Sequence, residues 1–406
     1  MAQTVTKTQP KKKQPWMRFR HKVVTEIVRP FMVAYCRLRY GVKVPRFRDG
    51  KGQYLILLNH QTPMDQFFVG MAFKKPVYYM ATEDIFSNGW ISKVIKYIIA
   101  PIPIKKQTTD IQAVMNCIKI VREGGNICIA PEGNRTYSGR PVYMNPAIAG
   151  LARKLGLPIL LFRIEGGYGM EPRWSDVVRR GKLKAYVARC IEPEEAKAMT
   201  NDELMDAIRE GLFVDEACLD QQFHHKKLAE YLERMVYICP DCGLSRFESH
   251  NDTVTCTKCG KTFRYLPNKT LQGVGFDSPF TFLYDWYKYQ EDYVNQLDTL
   301  SMTDTPIYVD HARVSEVIVY QRKEPIYENG RILLYGDRLE IEDMVVPFSE
   351  VSTITVLGRN KLNIYHGDKL YQFKGDKRFN ALKFMNIYYR SKNLAKGEEN
   401  GKFLGL

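Results

Sequence analysis

Two polar motifs break directly out of apolar runs, and that placement limits what the chain can fold into. Tyr54–Leu58 ends at Asn59-His60-Gln61-Thr62-Pro63-Met64-Asp65, and Asn126–Ala130 ends at Pro131-Glu132-Gly133-Asn134-Arg135-Thr136. Short apolar runs bounded by turn-forming residues read as buried strands. Similar runs at 102–104, 158–163 and 184–189 alternate with helical segments. The first half therefore reads as α/β, a mixed sheet flanked by helices.

In the first motif, Thr62-Pro63 reads as a helix cap followed by proline at the first helical position. His60 then stands at a strand-to-helix junction. One helical turn can bring Asp65 back beneath the imidazole, fixing its tautomer and raising its basicity. Such a pair acts as a general base toward a hydroxyl proton, whereas the bland reading is a capping Asp beside a surface His. In the second motif Gly133 permits a close turn and Arg135 offers a planar fork suited to phosphate. A base beside a phosphate fork suits a phosphorylated alcohol as acceptor. Cys117 and Cys128 lie in apolar segments and read as core filling rather than thiol nucleophiles.

On these residues, over about 16–215, the chain resembles the glycerolipid acyltransferase family, whose best-known members are the 1-acylglycerol-3-phosphate acyltransferases. The resemblance implies that His60 is the catalytic base and Asp65 its partner. It also implies that Glu132, Gly133 and Arg135, with Asn134 in the same loop, hold the glycerol phosphate. Ala100–Lys106 sits where the family has an apolar stretch ending in arginine. Lys105 and Lys106 would there neutralise a phosphate as point charges without a bidentate grip, the alternative being a solvated turn. Ala130 stands where phenylalanine is usual, Asn134 where threonine is usual, and Gly156–Arg163 is less proline-rich than the family's fourth motif. These departures bear on the acceptor more than on the chemistry.

The expected reaction is direct transfer, without a covalent enzyme intermediate, from a thioester donor (acyl-CoA or acyl carrier protein) to the hydroxyl of a lysophospholipid. The acceptor expected first is 1-acylglycerol-3-phosphate, giving phosphatidic acid. The alternatives are another lysolipid acceptor, or a non-enzymatic membrane adaptor that keeps the fold. An adaptor has no need of His60, Asp65, Glu132 and Arg135 together.

At 406 residues the chain exceeds one ordinary core and predicts two or three domains. Its net charge of +15 is concentrated: residues 1–51 hold fourteen Lys and Arg against Glu26 and Asp49. Trp16–Tyr40 sets Trp16, Phe19, Val23, Ile27, Phe31, Tyr35 and Leu38 at roughly helical spacing among Arg18, Lys22, Arg29, Arg37 and Arg39. This basic amphipathic pattern suits an anionic bilayer surface, with Pro30 expected to break it into two helices. The alternative packs the apolar stripe on the catalytic domain. No window has the 18 or so apolar residues a spanning helix needs, and no signal-peptide core follows the first lysines. The expected location is the cytoplasmic face of the membrane, held peripherally.

Cys239-x2-Cys242 and Cys256-x2-Cys259, each followed by glycine, predict a closed four-thiolate structural Zn2+ site in a zinc ribbon. Disulfides are the rival account, disfavoured in the cytoplasm. Residues 239–265 are nearly neutral, so no nucleic-acid partner is expected. His250 reads as a loop residue. Pro193–Gly211 and Asp215–Val236 read as helical, and an aromatic helix is expected from Ser278-Pro279. From about 306, short strands with Gly336-Asp337 and Gly367-Asp368 turns, closed by a helix with Phe379, Leu382, Met385 and Tyr389 in one stripe, predict an antiparallel β domain. Its pattern resembles pleckstrin-homology-like domains, with Arg359, Lys361, Lys369 and Lys374 as a candidate basic rim. The expected division is a membrane-associating segment at 1–45, an acyltransferase domain at 46–220, a helical and zinc-ribbon module at 221–300, and the β domain at 306–395.

Overall fold

The computed structural model describes residues 15–47, 52–104, 110–141, 143–399, 401 and 403; Lys105 and Lys106 lie outside them. The first sheet contains β1 (Leu55–Leu58), β2 (Val77–Thr82), β3 (Ile102–Ile104), β4 (Asn126–Ile129), β5 (Ile159–Glu165) and β6 (Lys184–Ile191), in spatial order β3-β2-β4-β1-β5-β6. Neighbours are parallel except β5 with β6, which gives a mixed, mostly parallel sheet. β1 and β4 are buried along their whole length. Strands covered on both faces lose the polar alternation, which is why these two read as unbroken apolar runs. β2 gave no such signal, because most of it is only half-buried.

Alternate residues serve two cores, as the strand period of two requires. Leu55, Leu57, Ile127 and Ile129 face one core, which α4 (Ile111–Arg122), α5 (Ala147–Leu155) and α8 (Asn201–Leu212) cover. Ile56, Leu58, Cys128 and Phe162 face the other, covered by α2 (Asp65–Ala72) and the end of α1 (Phe19–Tyr40). The remaining helices of this half are α3 (Trp90–Ile98), α6 (Gly167–Met170) and α7 (Pro193–Ala198).

α1 runs through Pro30 without the expected break. Proline removes one helical hydrogen bond, but anchors on both sides hold one axis. Before it, the main-chain amides of Trp16 and Met17 donate to Glu123, and His21 Nδ1 lies 3.1 Å from the Tyr78 hydroxyl. After it, Cys36 and Tyr40 are buried. The expected helix over 215–236 is also absent. Apart from a 3-10 turn at Leu232–Arg234 and a bridge between His224 and Arg180 the segment is turns and irregular chain, so that tertiary contacts override helix propensity. The Arg234 guanidinium, for example, donates to the Trp174 carbonyl and to Asp176.

The cysteine-rich region forms a hairpin, β7 (Ile238–Cys239) with β8 (Gly243–Leu244), and an antiparallel sheet of β9 (Phe247–His250), β10 (Thr253–Cys256), β11 (Thr262–Tyr265) and β12 (Leu271–Gly273). His250 closes β9 instead of lying in a loop. The aromatic helix α9 spans Leu283–Gln296, starting later than Ser278 because the Asp285 carboxylate caps the main-chain amides of Thr281 and Phe282.

The C-terminal sheet comprises β13 (Tyr308–Ile318), β14 (Arg322–Leu334), β15 (Arg338–Ile341), β16 (Met344–Pro347), β17 (Val351–Leu357), β18 (Lys361–His366) and β19 (Lys369–Gly375), all antiparallel, closed by α10 (Leu382–Ala395). β13 and β14 are long strands that precede the Gly336-Asp337 turn, where short strands were expected. Pro325 and Gly330 interrupt the alternation of β14, whose pairing with β13 is irregular near Val314. This sheet, the cysteine-rich strands and α9 share one core, which also takes in Tyr137 and Trp174 from the first half.

The expected basic rim is depleted, with Lys374 exposed and the other three residues facing acidic groups. Arg359 pairs with Glu171 at 2.6 Å and Lys369 with Glu316 at 3.2 Å. Lys361 is turned toward Asp84, whose carboxylate also accepts hydrogen bonds from Lys323 at 2.6 Å and Gln372 at 2.9 Å. The C-terminal sheet therefore turns several of its charges inward against the first.

Candidate active site

β1 and β4 are parallel neighbours with Leu55, Ile56 and Leu57 opposite Ile127, Cys128 and Ile129. Their following loops must leave the same edge side by side, and this brings the two motifs together. Asn59 fixes the first loop: its amide donates to the Ile164 carbonyl at 2.8 Å and its carbonyl accepts the Ile164 amide at 2.7 Å.

Beyond it, His60 Nδ1 lies 2.7 Å from Asp65 Oδ2. That oxygen also accepts the Gln61 amide, while Oδ1 accepts the Thr62 amide and hydroxyl. α2 starts at Asp65, two residues later than Pro63, because this carboxylate gathers the turn that precedes it. Asp65 is 1% exposed and accepts from four donors, which fixes its carboxylate in place. Its hydrogen bond assigns the proton of His60 to Nδ1 and leaves Nε2 to accept one.

Glu132 is buried, and neither carboxyl oxygen has a hydrogen-bond partner among the described residues. Burial pushes its pKa up from 4.5 to about 8; the nearby His60 main-chain amide opposes the rise and the charge on Asp65 adds to it. A carboxyl that folds neutral and unfolds ionised stabilises fully below pH 4.5 and loses that contribution as pH rises through 8. Thermal unfolding of Glu132→Gln should therefore show a shallower loss of stability across that window than the unaltered chain. Identical slopes would mean that Glu132 ionises normally.

Gly133 adopts φ +69°, the left-handed geometry its tight turn requires, with its amide on the Ala130 carbonyl at 3.0 Å. Arg135 is half-buried, and its Nη1 has no hydrogen-bond partner among the described residues. Burial, then the charge of Arg173, lowers its pKa to about 10, which still leaves it cationic at neutral pH. Asn134 donates from Nδ2 to the Val356 carbonyl at 3.3 Å. Cys117 and Cys128 are buried; burial raises Cys117 to about 12 and Cys128 well above the ordinary thiol range, so both stay protonated.

One cavity of about 1480 Å³ joins these groups. His60, Asp65 and Glu132–Arg135 line its polar part, and Met71, Val77, Ile98 and Leu151 belong to its apolar walls. This volume exceeds the roughly 300–1,000 Å³ usual for small-molecule sites and leaves room for long apolar chains. Sequence reasoning missed several wall residues: Arg173, Leu357 and Gly358, and Tyr284, Tyr287 and Glu291 from α9. They come from segments without a motif, and the aromatic density of α9 was the only signal.

Away from the cavity, the sulfurs of Cys239, Cys242, Cys256 and Cys259 lie within 4.8 Å of one another, a group that could hold a metal ion. Cys239 Sγ and Cys259 Sγ are 3.7 Å apart. This is far beyond a disulfide bond of about 2.05 Å. It matches the edge of roughly 3.8 Å that a tetrahedron with Zn–S of about 2.3 Å would have.

Residues 39–164 match the family model described as Acyltransferase. A 1-acyl-sn-glycerol-3-phosphate acyltransferase of Bacillus subtilis (strain 168) is 23% identical over 178 residues, spanning 43% of this chain and 86% of that protein. The crystal structure of the 1-acyl-sn-glycerophosphate acyltransferase PlsC from Thermotoga maritima aligns with 48% of this chain and 80% of its own at 20% identity and a TM-score of 0.41. The N-terminal PH domain of human ARAP2 aligns with 21% of this chain and 81% of its own at 14% identity and a TM-score of 0.18. The chain carries an acyltransferase domain and is an enzyme of that class.

Proposed function

We propose that this enzyme moves a fatty acyl group from a thioester donor, acyl-CoA or acyl carrier protein, to the free hydroxyl of a lysophospholipid, with 1-acylglycerol-3-phosphate as acceptor and phosphatidic acid as product. The observation that carries this reading is the His60–Asp65 pair opening onto the same cavity as Arg135, whose Nη1 has no hydrogen-bond partner among the described residues. Arg135 would hold the acceptor phosphate, with Gly133 and Asn134 shaping the loop. Glu132, neutral at physiological pH, would donate a hydrogen bond to the acceptor. His60 Nε2 would take the hydroxyl proton as the oxygen attacks the thioester carbonyl. Collapse of the tetrahedral intermediate would release the thiolate, which recovers the proton from His60. Asp65 stabilises the imidazolium in between.

In this reading residues 46–220 are the catalytic domain, 221–300 a helical and zinc-ribbon module, and 306–395 a β domain of pleckstrin-homology-like pattern. The four thiolates would hold a structural Zn2+ with no open coordination position. Residues 1–45 would rest on the cytoplasmic membrane face. Among the described residues no helix is long and apolar enough to cross a membrane. Phe19, Ile27, Phe31 and Leu38 of α1 are nonetheless exposed, as are Trp90 and Tyr97 of α3 beside it. The intact protein should float with anionic vesicles at low salt and lose binding as salt rises. Phe31→Glu should weaken flotation, and failure of the unaltered chain to bind would remove the membrane assignment.

Transfer of a labelled acyl group from acyl-CoA and from acyl carrier protein to a panel of lysolipids tests the function. Product with 1-acylglycerol-3-phosphate supports the acceptor named above, product only with another lysolipid reassigns it, and no product with any pair favours the adaptor alternative.

A further inference from the structure

The loop that carries Arg135 is not held by its own sheet alone. Arg173, 1% exposed, has no carboxylate partner among the described residues; main-chain carbonyls satisfy it instead. Nη1 donates to the Arg135 carbonyl at 3.0 Å, Nη2 to the Val356 carbonyl at 2.9 Å and Nε to the Gly358 carbonyl at 3.0 Å. Val356 lies at the end of β17, and Gly358 opens the turn to β18, where it adopts φ +62°. The Asn134 side chain reaches the same Val356 carbonyl. Arg359, next in the turn, donates to Glu171 Oε1, and Glu171 Oε2 accepts the Tyr40 hydroxyl at 2.5 Å. Leu357, Gly358 and Arg173 line the cavity beside Asn134 and Arg135.

Burying a guanidinium without a carboxylate, next to a second guanidinium, is costly. The arrangement puts two positive charges at one end of the cavity, where an anionic acceptor would relieve their repulsion. A planar fork that bridges three carbonyls fixes relative position in a way a single ammonium cannot.

We propose that the C-terminal sheet is a working part of the acceptor site, with Arg173 as the positioning residue that ties the Pro131–Thr136 loop to the β17–β18 turn. This rests on the reading of that loop as the acceptor-phosphate site. The sheet then governs acceptor affinity through main-chain geometry, without supplying a group to the chemistry.

The test uses the full chain with Arg173→Lys, which keeps the charge and loses the fork, and Arg359→Gln, which loosens the turn from the C-terminal side. Each should raise the acceptor KM about tenfold while the donor KM changes less than about twofold, and the double variant should fall short of the product of the two. Amide hydrogen exchange over 131–136 should quicken in both variants while exchange in 55–58 stays unchanged. Acceptor and donor KM rising together, or an unchanged acceptor KM, would overturn the proposal. Should the unaltered chain transfer to no lysolipid, the function fails on its own account. The exchange measurement then decides the positioning: quicker exchange in both variants supports it, and unchanged exchange overturns it.

Discussion

His60→Ala is expected to lower kcat for acyl transfer by about 10³-fold while leaving the acceptor KM nearly unchanged. General-base catalysis contributes roughly 10²–10⁴-fold, and the upper part of that range applies where a fixed anion supports the base. The Asp65 carboxylate is so fixed, by the Gln61 amide and by the amide and hydroxyl of Thr62. Those bonds remain in the variant, so the loop keeps its shape and the unfolding midpoint should hardly move. The Arg135 loop is also untouched, which is why acceptor binding should survive. A drop in kcat without a rise in KM marks an interaction made in the transition state. Full activity in the variant would sink the assignment of the base. Asp65→Asn should behave differently, because it disturbs four hydrogen bonds at once and costs stability as well as rate.

Elemental analysis should give one zinc per chain, and chelation should unfold the region around Cys239–Cys259. Apparent zinc-binding free energies in small thiolate sites are about 10–16 kcal/mol, more than the stability of most whole domains. Few alternatives can hold these short strands, since β7 and β8 are two residues each. The loss should also spread. Cys239 and Cys256 lie in the core shared with Trp286 and with Ile332, Leu334 and Met385 of the C-terminal region. Near-UV circular dichroism should therefore collapse for the aromatic cluster on α9 as the ion leaves, and Cys256→Ser should reproduce the effect. A metal-free chain with unchanged near-UV signal would remove zinc from the account.

What could be read from the residues alone was whatever the chain expresses locally. The strands before both motifs announce themselves because burial on both faces leaves only apolar side chains. The cysteine pairs do so because two thiolates and a following glycine fit within one turn. His60 and Asp65 are five positions apart, close enough for spacing to suggest their meeting. Glu132 could be named from its motif, but its raised pKa depends on burial that no local pattern records. Arg173 was invisible, since its partners lie 38 and up to 185 positions away and are main-chain carbonyls of whatever residue stands there. The continuity of α1 through Pro30 was misread for a related reason: the anchors that hold it, Glu123 and Tyr78, belong to other elements.

The separation of Asn134 from Val356, 222 positions along the chain, has a consequence during synthesis. At about 5–20 residues per second a ribosome needs roughly 10–40 s to travel that distance. The catalytic half can fold meanwhile, since its sheet is closed by strands that precede residue 192. Its Pro131–Thr136 loop still lacks the segment that clasps it. On the proposed reading, a nascent chain would thus pass a substantial interval with the His60–Asp65 pair folded, and the loop around Arg135 would be clasped only once Val356 has been made.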